Sequence, residues 1–413
     1  MAKIVPFQGL RPKKEFADKV ATLPYDVVNV AEAREFKKDP YNFYHVTRAE
    51  IDLPEAVDVH SQQVYDRAKE NLDNMIADKI MVQDKEPCYY IYQLIMNGRS
   101  QTGLVCGSSC DDYFEGVIKK HEFTRPEKEL DRINHILTTR AQTGVVFLAY
   151  NDNENVQHII DEWKNTHEPE YDFTATDGVQ HIFWVVDDYS KVAMISRYFY
   201  EEVPCTYIAD GHHRVASAGK VCMEMRESGM SITGEESFNY FITCIFPASQ
   251  LKIMDYNRVV KDLNKLKPEE FLKELEKDFE LSMMGKKQFK PQQAHEFGMY
   301  LDANWYKMVA RAGTYTEDPI GVLDVSILQQ NVLSKLLNIN DPRTDKRVDF
   351  VGGIRGLAEL EKRVDSKEMA AAFALYPVSI QQLFTIADSG NVMPPKSTWF
   401  EPKLRDGLVV YMI

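Results

Sequence analysis

Five consecutive residues offer the clearest chemistry in this sequence: Asp210, Gly211, His212, His213 and Arg214. An arginine can hold a phosphate through two hydrogen bonds, and a histidine can donate or accept a proton near neutral pH. The carboxylate of Asp210 repels a phosphate unless it holds a metal ion or takes a proton from a hydroxyl. The cluster therefore predicts an anion site with an acidic group at its edge.

The residues around this cluster predict the elements that would position it. Residues 205–209 are apolar and partly β-branched, which is typical of a buried strand, and Gly211 interrupts that strand. From His212 onward, small residues favour a closely packed helix. The first N–H groups of a helix lack partners and its dipole attracts negative charge, so a helix that begins behind a glycine turn can bind an anion. An ordinary Asp-Gly turn with a capping role is the alternative interpretation.

A second concentration of charge occupies residues 111–136. Its central part, KKHEFTRPEK, brings Lys120, Glu122 and Arg125 close together in the sequence, with His121 between them. Residues 126–136 predict a helix with Thr124 as its N-cap. A solvated helix with charge pairs three and four residues apart is one interpretation, and a cationic loop that contacts a phosphate is the other.

Composition limits the class of protein. The 413 residues are enough for two or three domains, and 44% hydrophobic residues suit globular cores. A net charge of −14 argues against a broad nucleic-acid-binding face. No apolar run approaches the length of a membrane span, and we expect no signal peptide. The six cysteines lack CxxC spacing, so we expect reduced thiols, no structural zinc and a cytoplasmic location.

Hydrophobic periodicity predicts a mixed α+β protein along the whole chain. Asn97-Gly98 predicts a hairpin turn, and helices are expected over 189–202, 267–281 and 326–337. Residues 227–237 predict a surface loop, and the tail predicts an ordered loop, MPPKSTWF, followed by a closing strand, LVVYMI. We divide the chain into an N-terminal α+β region (1–160), a core that contains DGHHR (161–265) and a C-terminal α+β region (266–413).

The strand–DGHHR–helix unit resembles the phosphate-binding motif of the ParB/sulfiredoxin superfamily, and its DGHHR form resembles the free serine kinase branch. The segments FQGLRP, PYDVV, DPYNFYHV, IKKHEFTRPEKE and MPPKSTWFEPKL resemble a long bacterial group of that branch. The likeness to that group runs end to end, whereas the likeness to kinases of known activity is narrower and lies mainly in about residues 179–260. The resemblance implies a ParB/sulfiredoxin-like nucleotide-binding core embedded in a larger mixed α/β body.

The resemblance also implies an activity and a set of site residues. The activity is transfer of a phosphoryl group from ATP or ADP, with Mg²⁺, to the hydroxyl of L-serine or a similar small molecule. Asp210 would be a catalytic group and the metal ligand, His212 and His213 would be catalytic and would bind phosphate, and Gly211 and Arg214 would bind phosphate. From the second charged block, Lys120 and Arg125 would add phosphate contacts. The family also has an upstream catalytic glutamate, for which the candidates are Glu122, Glu201 and Glu202.

Two other functions fit the same motif. One is a nucleotide-binding regulatory switch of the ParB type, and the other is a binding protein that keeps the motif as a phosphate clamp. The acidic net charge and the lack of a basic recognition helix argue against a DNA-binding switch. Turnover of nucleotide that depends on serine would distinguish the kinase from both alternatives. The sequence alone leaves the oligomeric state open.

Overall fold

The chain divides into two compact units in a computed structural model that describes residues 1–229 and 233–413. The first unit comprises Met1–Leu251 and Pro402–Ile413, and the second comprises Lys252–Glu401. The mixed helix and strand content that we predicted is confirmed. The three sequence regions 1–160, 161–265 and 266–413 stay a prediction. The loop predicted over 227–237 includes residues 230–232, which lie outside the described residues.

The strands follow one another along both units. They are β1 (Ile4–Val5), β2 (Leu10–Pro12), β3 (Met81–Gln83), β4 (Tyr89–Met96), β5 (Arg99–Ser109), β6 (Ile118–Lys119), β7 (Ala141–Gln142), β8 (Val146–Tyr150), β9 (Tyr171–Thr174), β10 (Gln180–Val186), β11 (Thr206–Asp210), β12 (Tyr240–Pro247), β13 (Ile253–Met254), β14 (Tyr256–Val260), β15 (Phe279–Gly285), β16 (Glu296–Leu301), β17 (Asn304–Ala310), β18 (Val348–Gly352), β19 (Ala371–Leu375), β20 (Trp399–Phe400) and β21 (Tyr411–Met412).

The α-helices alternate with these strands. They are α1 (Ala17–Val20), α2 (Val30–Arg34), α3 (Tyr44–Thr47), α4 (Gln62–Ala77), α5 (Cys110–Phe114), α6 (Pro126–Thr139), α7 (Glu154–Thr166), α8 (Tyr189–Glu202), α9 (His212–Glu227), α10 (Pro268–Leu275), α11 (Asp324–Leu328), α12 (Gly356–Asp365) and α13 (Ile380–Asp388).

The first unit is built on a mixed sheet, nine-stranded within the described residues, in the order β6-β11-β8-β12-β5-β4-β10-β9, with β1 paired to β5. The hairpin predicted at Asn97-Gly98 is confirmed, because both residues have positive φ and join β4 to β5. Helix α9 packs closely, as its small residues predicted: a Cβ on Gly219 would lie 3.1 Å from the ring of Phe114. The sheet and helices thus fix the strand and helix on either side of Gly211.

The second unit is built on a six-stranded sheet in the order β15-β17-β16-β19-β14-β18, counted among its described strands. The ordered tail loop belongs to this unit, where β20 pairs with β13 in an antiparallel ladder. Within it, the ring of Trp399 covers Gly352, since a Cβ on that glycine would approach the indole to 2.8 Å.

Several predicted boundaries are wrong. Thr124 is not the N-cap of α6, because Arg125 holds that position, and it does so without a side-chain cap. The helix predicted over 267–281 ends at Leu275, since residues from Phe279 onward pair with β17 in β15. The helix predicted over 326–337 begins at Asp324 and continues as a π-helix over Gln329–Ser334. The closing strand shortens to β21, which pairs with β7.

All six cysteines are free thiols, as we predicted. Within residues 1–229 and 233–413, no helix combines the length and the apolar character needed to cross a membrane.

Candidate functional site

A single residue, Gly211, joins β11 to α9 and turns the chain at the carboxyl end of the strand. β11 lies between β6, which runs parallel to it, and β8, which runs antiparallel. Gly211 has a φ of 100°, a left-handed conformation that disfavours residues with a Cβ. A Cβ at this position would also lie 3.2 Å from Nε of Arg214. The predicted strand–glycine–helix unit is therefore confirmed, and both the backbone and the packing select glycine.

The carboxylate of Asp210 is paired with a lysine from the end of the chain. Nζ of Lys403 lies 3.0 Å from Oδ2 of Asp210, and the lysine side chain is only 11% exposed. Burial alone would raise the pKa of Asp210, but the positive charges of Lys403 and Arg214 hold it well below its ordinary value. Asp210 is therefore ionised at neutral pH and is a weak proton acceptor.

His212 is buried at the start of α9 against a second imidazole, that of His121. The two rings meet edge to face with their centroids 4.5 Å apart, and the backbone N–H of His121 donates to Nε2 of His212 at 3.5 Å. Burial lowers the pKa of both rings, that of His121 to about 4, so both are neutral at pH 7. Because Nε2 of His212 accepts a hydrogen bond, its proton is assigned to Nδ1. In the part of the chain that the structure describes, neither ring nitrogen of His121 makes a hydrogen bond.

His213 is oriented in the same way from the neighbouring loop. Its Nε2 accepts a hydrogen bond of 3.0 Å from the backbone N–H of Arg125. Burial and the nearby charge of Lys128 lower its pKa, so this imidazole is also neutral at pH 7. Residues 121–125 therefore run past both histidines of the motif, and each histidine is left with an Nδ1–H that can donate.

Arg214 points into the protein. Its Nη1 donates to the carbonyl oxygen of Val145, and its Nη2 lies 3.5 Å from Oδ2 of Asp26. Burial would lower the pKa of Arg214, but the surrounding carboxylates raise it above its ordinary value. Its Nε is buried and has no hydrogen-bond partner among the described residues. The predicted two-bond grip of Arg214 on a phosphate stays a prediction, because both terminal nitrogens are engaged in this conformation.

Sequence reasoning missed three charged residues that the fold brings to the motif: Asp26, Lys403 and Asp406. Asp406 is 1% exposed, and burial raises its pKa to about 7 although the charge of Arg214 lowers it. Its Oδ2 has no hydrogen-bond partner within the described ranges. The sequence signal was slight: PYDVV and FEPKLRDG indicate ordered loops, but nothing in either segment indicates its neighbours in space.

A cavity of about 350 Å³ adjoins the motif at His213 and Asp26. Within this cavity, Nη1 of Arg48 lies 3.1 Å from Oε1 of Glu50, whose side chain is buried. The wall carries charges of both signs. Its charged residues are Asp26, Arg48, Glu50, Glu127, Lys128, Asp131 and Arg132. A cavity of this size and polarity suits a small polar ligand.

The remaining candidates lie at different places. Lys120 is exposed, and its amino group lies 5.8 Å from the centre of a tyrosine ring. Glu122 is half-buried and follows His121 in the chain, and Arg125 contacts the motif through its backbone. Glu201 and Glu202 end α8, close to the amino end of β11, whereas DGHHR begins at its carboxyl end. These two glutamates are thus separated from the motif by the length of the strand.

No cluster of three or more His, Cys, Asp and Glu side chains could hold a metal ion within residues 1–229 and 233–413. Asp210 is the predicted metal ligand, and its Oδ2 is engaged by Lys403. A metal ion at this position would therefore need most of its ligands from elsewhere, such as the oxygens of a nucleotide and water.

Comparisons with known proteins place the chain in a family and find distant structural likenesses. A family model described as Protein of unknown function (DUF1015) matches residues 4–326. No curated protein matches the sequence. A structure of a free serine kinase mutant in complex with AMP gives a TM-score of 0.37 at 12% identity, covering 72% of this chain and 86% of the kinase.

Two further solved structures are similar at the same level. SbnI with C-terminal truncation from Staphylococcus aureus gives a TM-score of 0.38 at 10% identity, covering 73% of this chain and 85% of SbnI. A conserved hypothetical protein from Pyrococcus furiosus gives a TM-score of 0.35 at 13% identity, covering 74% of this chain and 93% of that protein's chain. At TM-scores this low, the role of a residue in one of these proteins cannot be transferred to this chain.

Proposed function

The chain belongs to the family described as Protein of unknown function (DUF1015), and from the geometry of its own residues we propose that it is a phosphotransferase. It would move a phosphoryl group from ATP or ADP to the hydroxyl of L-serine or a similar small molecule. The observation that carries this proposal is the amino end of α9, where a left-handed glycine precedes two neutral imidazoles that can each donate from Nδ1.

The amino end of α9 supplies the donors that a phosphate chain needs. The helix spans 16 residues, so its terminal N–H groups and its dipole favour negative charge at His212. Gly211 lets the backbone approach a ligand closely because it has no side chain. Neutral histidines donate hydrogen bonds without the strong attraction that would retain the product. We attribute this unit to a ParB/sulfiredoxin-like nucleotide-binding core, in keeping with its strand–glycine–helix order.

The cavity beside His213 is the proposed acceptor site. An amino acid carries an ammonium and a carboxylate, and the paired Glu50 and Arg48 present the complementary charges within one wall. Asp26 belongs both to this wall and to the contact with Arg214, so it lies between the proposed acceptor and donor positions. Phosphoryl transfer requires that kind of adjacency, because the two oxygens must lie in line across the phosphorus.

The proton of the acceptor hydroxyl needs a carboxylate or an imidazole near the cavity. We propose Asp26 for this role, since it lines the cavity and is partly exposed. Asp210 is a weaker candidate, because two cations keep it ionised and lower its basicity. Glu122 remains a candidate from the sequence, although it is not part of the cavity wall.

The proposed Mg²⁺ fits this site only as an ion that arrives with the nucleotide. Magnesium often takes one or two carboxylates from the protein and the rest of its ligands from phosphate and water. Asp210 would hold it, and the ion would neutralise part of the charge on the phosphates.

The test is phosphate transfer by the purified protein with Mg²⁺ and either ATP or ADP, against a panel of hydroxyl amino acids. We expect phosphoserine, or another phosphorylated hydroxyl compound, to form only with enzyme. Glu50→Gln should raise the KM for the acceptor and leave the KM for the nucleotide unchanged. Nucleotide binding that saturates without any product would favour the alternative of a regulatory switch, and no nucleotide binding at all would refute both.

A further inference from the structure

The last segment of the first unit brings two charged side chains, those of Lys403 and Asp406, to the DGHHR motif. The chain enters this segment at Pro402 after the second unit. Lys403 then pairs with Asp210, and Asp406 lies within the electrostatic reach of Arg214. Nothing in the motif itself requires a partner from the end of the chain.

The segment is fixed by buried contacts at the residues that follow Lys403. Arg405 is 5% exposed; it is paired with Asp177, and its Nε lies 3.2 Å from Nε2 of His181. The backbones of Thr22 and Asp406 exchange two hydrogen bonds of 3.1 and 2.9 Å. These contacts fix the backbone at residues 405 and 406, which follow Lys403 by two and three positions. The amino group of Lys403 is therefore positioned before any ligand binds.

The position of the Lys403 amino group suits it to contact a bound phosphate. It lies at the residue that immediately precedes Gly211, on the edge of the proposed phosphate site. An ammonium has three N–H donors, so it can bind a carboxylate and a phosphoryl oxygen together. Lys403 and Arg214 both act on the carboxylate of Asp210, and Arg214 is in turn offset by Asp26 and Asp406.

We propose that Lys403 is a catalytic residue whose ammonium contacts the oxygens of the phosphoryl group being transferred, and that Asp210 positions it. This inference rests on the proposed function. In the transfer, the bond from phosphorus to the bridging oxygen of the donor breaks, and a bond from phosphorus to the acceptor oxygen forms. The hydroxyl proton leaves to a carboxylate of the site, and Lys403 keeps its own proton while it offsets the charge on the phosphoryl oxygens.

Titration of the full-length protein with AMP, ADP and ATP tests the contact without relying on turnover. Lys403→Met should leave AMP affinity unchanged within about twofold, because AMP lacks a transferable phosphoryl group. The affinity for the phosphoryl donor, whichever of ATP and ADP it is, should fall about 10- to 100-fold, the scale of a hydrogen bond to a charged group. Lys3→Met is the matched control, since it removes a lysine that pairs with Glu235 at 3.3 Å, and it should change none of the three affinities.

Lys403→Arg separates catalysis from a structural ion pair. Arginine keeps the positive charge beside Asp210 but places it differently, so we expect kcat to fall at least 10-fold while AMP affinity and the melting temperature stay near wild type. Full activity in Lys403→Arg, or an equal loss of affinity for all three nucleotides in Lys403→Met, would overturn the role of Lys403. If the wild-type protein binds no nucleotide, the proposed function fails and this inference fails with it.

Discussion

Asp210 and Lys403 stand 193 positions apart in the chain, and Nζ of Lys403 lies 3.0 Å from Oδ2 of Asp210. The pair changes the chemistry expected of the motif. An isolated Asp-Gly at a strand end could serve as a base, whereas an aspartate held beside a lysine stays ionised and orients its partner. The relationship therefore supports the proposal that another carboxylate, that of Asp26, accepts the proton.

Asp210→Asn should abolish turnover while the protein remains folded. The amide keeps the shape of the side chain but removes the charge that pairs with Lys403 and that would hold a metal ion. We expect kcat to fall more than 100-fold, with a loss of about 1–3 kcal/mol in the free energy of unfolding. Product formation measured by mass spectrometry, alongside thermal denaturation, checks both. Undiminished turnover in a folded variant would remove Asp210 from the chemistry.

Gly211→Ala should damage both stability and nucleotide binding. Gly211 has a φ of 100°, and an alanine there costs about 1–2 kcal/mol in backbone energy before its Cβ meets Arg214 at 3.2 Å. Gly178→Ala is the matched control, because Gly178 has a φ of 80° and open space around a Cβ. Isothermal titration with ATP should show at least a tenfold loss of affinity for the first variant only. Equal ATP affinities of the two variants would mean that Gly211 is needed only for the turn and not for nucleotide binding.

The local parts of the site could be predicted from the sequence, because their signals lie in consecutive residues. An apolar run, a glycine and a row of small residues define β11, the turn and α9. The hairpin at Asn97-Gly98 follows from the same kind of local preference.

The remaining parts depend on contacts between residues far apart in the chain. Which strands flank β11 and which carboxylates surround Arg214 are set by tertiary packing, and no spacing rule encodes them. The orientation of the Arg214 side chain could not be predicted either. An arginine in such a motif suggests a phosphate ligand, whereas in the structure its guanidinium contacts Val145 and Asp26. The helix predicted to reach Leu281 failed for a related reason, since pairing with β17 overrides the helical pattern after Leu275.

Asp406→Asn should alter how stability depends on pH. The pKa of Asp406 is raised from 3.8 to about 7, so the folded protein binds more protons than the unfolded chain between those values. Its contribution to stability is therefore fully present below pH 4 and is lost as the pH rises to about 7. Asparagine does not titrate, so the variant should gain about 2–4 kcal/mol relative to wild type between pH 4 and 8.

Denaturation of both proteins at several pH values measures that difference. Asp324 in the second unit has a pKa raised to about 7 by burial, and Asp324→Asn therefore provides a comparison of the same kind outside the site. Nucleotide affinity should respond only to the substitution at Asp406. A stability difference between Asp406→Asn and wild type that does not vary with pH would show that Asp406 is ionised throughout.

Arg214→Ala should weaken both the first unit and the proposed nucleotide site. Removing the guanidinium takes the hydrogen-bond donor from the buried carbonyl oxygen of Val145 and the cation from beside the partly exposed Asp26, and the lost buried hydrogen bond costs about 1–3 kcal/mol. Nucleotide affinity should fall by about 1.5–3 kcal/mol, the contribution of a hydrogen bond to a charged group. Arg226→Ala is the control on the same helix, since Arg226 pairs with Asp111 at the surface and should cost about 1 kcal/mol with no effect on binding. Denaturation and calorimetric titration separate the two effects, and an Arg214→Ala protein that binds ATP as tightly as wild type would restrict Arg214 to a structural role.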